Sequence, residues 1–159
     1  MILVALLTIL LGSYALLALI SRRLPASRRG RISLALLFLV TGIGHFATPE
    51  PMAAMLPAWV PARLTVIYVT GLLEWAGAIG LLVPRYSRLA GICLLLFLAA
   101  VFPANVFAAI NRVAMGGHEA GPMYLIVRGP FQLLLMWWTY HFAVRERRDA
   151  PPVRTAERA

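Results

Sequence analysis

Five long apolar stretches leave this chain almost no choice of architecture. They run from Met1 to Ile20, Ile32 to Ala47, Leu64 to Val83 and Leu89 to Ile110, with a last one starting between Met123 and Pro130 and ending at Val144. Three of them reach about 20 residues, the length at which a helix rising about 1.5 Å per residue crosses a hydrocarbon core about 30 Å thick. In lipid a backbone N–H or C=O has no water to bond, so such segments fold as helices that satisfy their own backbone. Composition agrees: 61% of residues are hydrophobic and 13% charged, against about 45–50% apolar and about 25% charged in soluble domains. The expected fold is all-α, a polytopic membrane helical bundle.

Charge gives the bundle a direction. The net charge of +9 comes from arginine alone, since the chain has no lysine. Arg22, Arg23, Arg28, Arg29 and Arg31 lie between the first and second stretches, Arg85 and Arg88 between the third and fourth, and Arg145, Arg147, Arg148, Arg154 and Arg158 after the fifth. Only Arg63, Arg112 and Arg128 fall in the remaining connections, so twelve arginines sit on one side and three on the other. The positive-inside rule then predicts five crossings of a bacterial inner membrane, with the N-terminus outside and the C-terminus in the cytoplasm. This alternation accounts for a pI near 11.3 without nucleic acid as a partner. The first stretch lacks a basic leader and is followed by arginines, so it is expected to be a retained helix, not a cleaved signal. Cys93 is the single cysteine, which excludes an intrachain disulfide and a dithiol redox pair.

Within Leu64 to Val83 the only charge is Glu74. An acid at a helix centre costs roughly 2.5 to 3.5 kcal/mol on insertion scales, and such residues face a bundle interior, a partner or a cavity. Thr70 and Gly71 lie one turn before it and Gly77 and Ala78 one turn after, a small-residue face that lets another helix approach closely. His45 shares a face with Thr41 and Gly42 and is expected to point inward as well. Asn105 and Gln132 fall at similar depth in the fourth and fifth stretches, with Arg128 one turn above Gln132. A carboxyl alone at this depth stays protonated, whereas one beside Arg128, Arg112 or a charged His45 can ionise, and the sequence leaves both states open. Two roles stand side by side. The polar groups either tie helices together, at about 0.6 kcal/mol per hydrogen bond, or line a ligand-binding or proton-handling pocket. An acid is an expensive tie where Asn or Gln would serve, which favours the pocket.

Around this core, TPEPMAAMLPAWVP holds four prolines, so 48–62 is expected to be an interfacial segment over the outer face, with Trp59 at head-group depth. Pro103 predicts a kink in the fourth helix that frees a backbone carbonyl about one turn earlier. Trp75, beside Glu74, is either a pocket wall or a helix contact, its indole N–H needing an acceptor. His45 and His141 belong to opposite faces and His118 to a loop, which argues against a shared haem or metal. His141 with Trp137, Trp138 and Tyr140 reads as an interfacial aromatic belt. Segment 21–31 reads as a basic cytoplasmic loop, and 145–159 as a disordered tail.

TGIGHF, then MLPAWVP, then TGLLEWAGAIGLLVPRYSRLAG and FPANVFAA, in that order and spacing, make the chain resemble the DoxX family of small bacterial membrane proteins over roughly Ile32 to Phe142. The resemblance implies a four-helix membrane bundle over 32–144, with 1–20 as an added N-terminal helix. It also implies a link to membrane redox systems, since the family takes its name from a subunit of a thiosulfate:quinone oxidoreductase. His45, Pro57, Glu74, Pro103 and Asn105 match the family's positions, and their roles rest on the physical argument above. The expected function is a subunit or accessory of a quinone-linked system, not a self-sufficient enzyme. In it Glu74 and His45 hydrogen-bond or exchange protons with a quinone-like or small polar ligand, Asn105 and Gln132 orient it with Arg128 nearby, and Trp75 and Trp59 form apolar walls. The partners expected are the lipid bilayer and a membrane or peripheral oxidoreductase, and the sequence leaves open whether the chain forms a homo-oligomer. The alternative is a membrane binding, assembly or small-solute transport protein without catalysis.

Overall fold

The computed structural model describes residues 2–21 and 23–145. Arg22 and the expected disordered tail from 146 onward lie outside the described residues. Six α-helices run in order: α1 Ile2–Ile20, α2 Ala26–Ala47, α3 Pro49–Ala53, α4 Arg63–Leu82, α5 Ser87–Ile110 and α6 Leu125–Thr139. No strand occurs among the described residues, and the protein is all-α. Of these, α1, α2, α4 and α5 are each long and apolar enough to cross a membrane. α6 has 15 residues and contains Pro130, and a six-residue π-helical turn, Tyr140–Arg145, prolongs it. The fifth helix thus begins before Pro130, whose missing N–H falls within its second turn.

α2 starts six residues ahead of the apolar stretch that marks it, so Arg28, Arg29 and Arg31 lie in its first turns. Hydropathy locates what faces lipid; arginine is itself a good helix former, and Pro25 before the first turn sets where the helix opens. Most of the expected basic loop 21–31 is therefore helix.

Contacts across the helices define an antiparallel four-helix bundle of α2, α4, α5 and α6. Thr41 meets Glu74 and Phe46 stacks on Tyr68 and Trp75 between α2 and α4. Gly77 and Gly80 face Leu94 and Ala90 between α4 and α5. Gln132 reaches Leu98 between α5 and α6, and the Trp138 indole donates to Gly30 O at 3.1 Å, closing the ring from α6 back to α2. α1 lies outside this ring against α2. Leu10 is its one buried residue, and Tyr14 packs on Trp138 and Phe142 beneath the Arg29 guanidinium.

The alternation of directions gathers Arg23, Arg28, Arg29, Arg31, Arg85, Arg88 and Arg145 at one end, and Arg63, Arg112 and Arg128 at the other. At the arginine-rich end the core is solid: Leu34, Leu37, Leu81, Leu94, Leu135, Trp138, Phe142 and Ala143 are all buried. Outward-facing Leu72, Ile79, Leu89, Leu96 and Leu133 are exposed, as an apolar solvent allows. The expected aromatic belt divides here. Trp137 and Tyr140 face outward, whereas Trp138 is a core residue because its N–H finds an acceptor only inside, at Gly30.

Candidate functional site: a polar-lined cavity at the arginine-poor end

At the arginine-poor end the same helices part around a cavity of about 630 Å³. Its walls are mainly apolar: Ile2, Leu3, Leu6 and Ile9 of α1, Met52, Met55 and Leu56 of the segment after α2, Val66, Ile67 and Leu73 of α4, and Phe97 and Val101 of α5. The polar lining is a short set: Thr41, His45, Thr70, Glu74, Asn105, His118, Tyr124 and Arg128. Volumes of about 300–1,000 Å³ with few converging polar groups are typical of sites for small organic ligands.

Glu74 points inward, at 7% exposure, because its face of α4 is built of small residues. A Cβ on Gly71 would come within 2.7 Å of the His45 Cβ, so only glycine lets α2 and α4 approach this closely. That approach brings Thr41 Oγ1 to 2.6 Å from Glu74 Oε2 and His45 Nδ1 to 3.9 Å from the same oxygen. Thr41 has one proton and two neighbours, Glu74 Oε2 and, at 3.3 Å, Phe38 O. It donates to a carboxylate; if the acid is protonated, Thr41 can accept from it and turn its own proton to Phe38 O. The pair therefore accommodates either state of Glu74 without moving a heavy atom. His45 Nδ1 lies 3.1 Å from Thr41 O; a carbonyl only accepts, so this nitrogen carries a proton.

On the opposite wall Arg128 is held by two acceptors. Its Nε donates to Asn105 Oδ1 at 3.2 Å and its Nη1 to Gln132 Oε1 at 3.0 Å. Gln132 in turn donates to Leu98 O at 2.6 Å, and Asn105 Nδ2 to Val101 O at 3.0 Å. Pro103 lies in α5 beside these groups and has no N–H of its own to bond back along the helix. The guanidinium and the Glu74 carboxyl line the same cavity from opposite walls. Arg112 does not join it: its side chain rests against Gly121.

Of the residues expected at the site, Glu74, His45, Asn105 and Arg128 line the cavity together. Three do not. Gln132, 2% exposed, is not among the lining residues and accepts from Arg128 Nη1 behind the wall. Trp75 turns to α2, donating to Leu39 O at 3.2 Å and stacking on Phe46, so it is a helix contact. Trp59 is 82% exposed and outside the cavity, whereas Met52, Met55 and Leu56 of the same segment line it. Conversely, Thr41, His118, Tyr124 and the first half of α1 belong to the site unexpectedly. Thr41 could have been found from its place one turn before His45. His118 could not, because its burial depends on the fold of a loop.

The matched region now has a physical meaning. A family described as a domain of unknown function, DUF8561, matches residues 34–143. The chain belongs to the DUF8561 family. The match spans the four-helix bundle from within α2 onward and every polar residue of the cavity, and leaves out α1, which supplies part of the cavity's apolar wall in this chain. No curated protein and no solved structure matches.

Proposed function

We propose that this DUF8561 protein is an integral subunit of a quinone-linked membrane redox system of DoxX type, and that the cavity is where a quinone-class lipid binds. In this reading it makes five crossings of a bacterial inner membrane, with α1 entering from outside and the tail in the cytoplasm, and works with a membrane or peripheral oxidoreductase. The observation that carries the proposal is a 630 Å³ cavity among membrane helices whose lining is apolar except for Glu74–Thr41–His45 on one wall and Arg128–Asn105 with His118 and Tyr124 on the other.

The residues suit such a group. The α1 and methionine surfaces accept an isoprenoid body, and Arg128 and Tyr124 can donate to head-group oxygens. Burial pushes the Tyr124 phenol up from its ordinary value, with Arg128 opposing, so it keeps its proton at neutral pH. A bound quinone would supply a two-electron, two-proton couple. The chain's own part is to hold a proton at Glu74, where Thr41 serves either state, and to fix positive charge at Arg128. Electrons would come from the partner, since Cys93 stands alone on the outer surface of α5.

Solvent extraction of protein purified in lipid nanodiscs, followed by mass spectrometry, tests this reading. One quinone per chain, lost in Glu74→Gln, is the expected result. A different amphiphile in the cavity, or co-purification with a partner that Glu74→Gln leaves unchanged, would favour a binding, assembly or transport role instead.

A further inference from the structure

His118 has half of its bonding unfinished. It is 3% exposed, tucked under the loop after α5 where Gly116 and Gly117 take φ of +65° and +106°, values that L side chains rarely adopt. Nδ1 sits 2.6 Å from Met115 O, so Nδ1 carries the proton, and Tyr124 packs edge-on against the ring with centroids 4.7 Å apart. In a neutral imidazole the lone pair is then on Nε2. That nitrogen is buried and has no hydrogen-bond partner. Burial lowers the His118 pKa from 6.5, with Arg128 acting in the same direction and Met115 O and Glu119 opposing, which keeps the ring neutral at pH 7. His118, Tyr124 and Arg128 line one cavity, so a ligand oxygen seated against this wall lies near one acceptor and two donors. A ketone or ether oxygen can use only the donors. A hydroxyl uses both.

We propose that His118 Nε2 accepts a hydrogen bond from a hydroxyl on the bound amphiphile, so that the cavity prefers hydroxyl-bearing ligands to their ethers. This makes His118 a ligand-binding residue, and it rests on reading the cavity as a ligand pocket. A quinol and a long-chain alcohol lipid such as a diacylglycerol share the required chemistry.

The test measures binding of a short-chain quinol, its dimethyl ether and dioctanoylglycerol to wild type, His118→Phe and His118→Gln in nanodiscs. Phe keeps the ring packing against Tyr124, and Gln restores an acceptor. The quinol should bind wild type about tenfold more tightly than its ether, the ratio falling to near one in His118→Phe and recovering in part in His118→Gln. Dioctanoylglycerol bound more tightly than the quinol, and weakened in His118→Phe with partial recovery in His118→Gln, would assign the hydroxyl to an alcohol lipid, upholding the role of His118 while removing the quinone. Equal affinity of wild type for quinol and ether would overturn the role of His118 by leaving Nε2 to water, and leaves the pocket standing. No binding of any of the three would sink the pocket and this inference together. The wild-type comparison needs no variant, so a folding defect in His118→Phe cannot hide the answer.

Discussion

The two ends of the bundle are built from the same helices in the same antiparallel order, yet one is packed solid and the other holds a cavity. At the arginine-rich end large side chains fill against glycines: a Cβ on Gly77 would lie 2.6 Å from Leu94 Cδ2, and one on Gly91 2.7 Å from the Ala143 Cβ. At the arginine-poor end α2 and α4 stay close through Gly42 and Gly71, but Thr41, Thr70, Ala100, Ala104 and Asn105 stand where the other end has leucine, tryptophan and phenylalanine. Smaller and polar side chains therefore leave room at this end, and Thr41, Thr70 and Asn105 among them are also able to bind.

That contrast can be broken at the packed end first. Gly30 lies against the Phe142 ring with no room for a side chain, so Gly30→Leu should destabilise the protein by about 3 kcal/mol or more, measured by thermal unfolding in detergent. Thr41→Val leaves the buried Glu74 carboxyl without its closest partner and should cost about 1–3 kcal/mol by the same measurement, with Thr41→Ser close to wild type. A smaller effect concerns His118. Its pKa is lower in the folded loop than the ordinary 6.5, so below about pH 6.5 the opened loop takes up a proton more readily than the closed one. Hydrogen exchange at residues 115–121 should therefore reveal easier opening, beyond the intrinsic pH dependence of exchange, as pH falls through that range, and none of this excess above it. Trp59→Ala, at an exposed site, should change unfolding by less than about 0.5 kcal/mol.

Much of this contrast was legible in the sequence. Apolar length and arginine alternation anticipated the helices and which ends lie together, because both follow from the properties of a membrane solvent. Helical spacing gave Glu74 its inward face, since small residues one turn either side are readable without tertiary knowledge, and depth along the helices put His45, Asn105 and Arg128 at the same end of the bundle. What spacing could not distinguish was a residue facing the cavity from one facing a neighbouring helix. Trp75 and Gln132 sit at the right depth but are claimed by Leu39 O and Leu98 O, acceptors that only the packed helices supply. His118 was hidden for the opposite reason, being brought to the site by a loop whose glycines say that it turns but not where it goes. The start of α2 was missed because arginine-bearing helix looks like loop to hydropathy.

Ala104 lines the cavity on α5, and a leucine there would fill space at the open end while leaving the packed end untouched. Native mass spectrometry of wild type and Ala104→Leu taken from the same membranes tests whether the open end is a ligand site. If it is one, each wild-type chain carries one amphiphile and Ala104→Leu none, with unfolding temperatures in detergent that differ little. Equal occupancy of the two proteins, or an empty wild-type cavity, would contradict it.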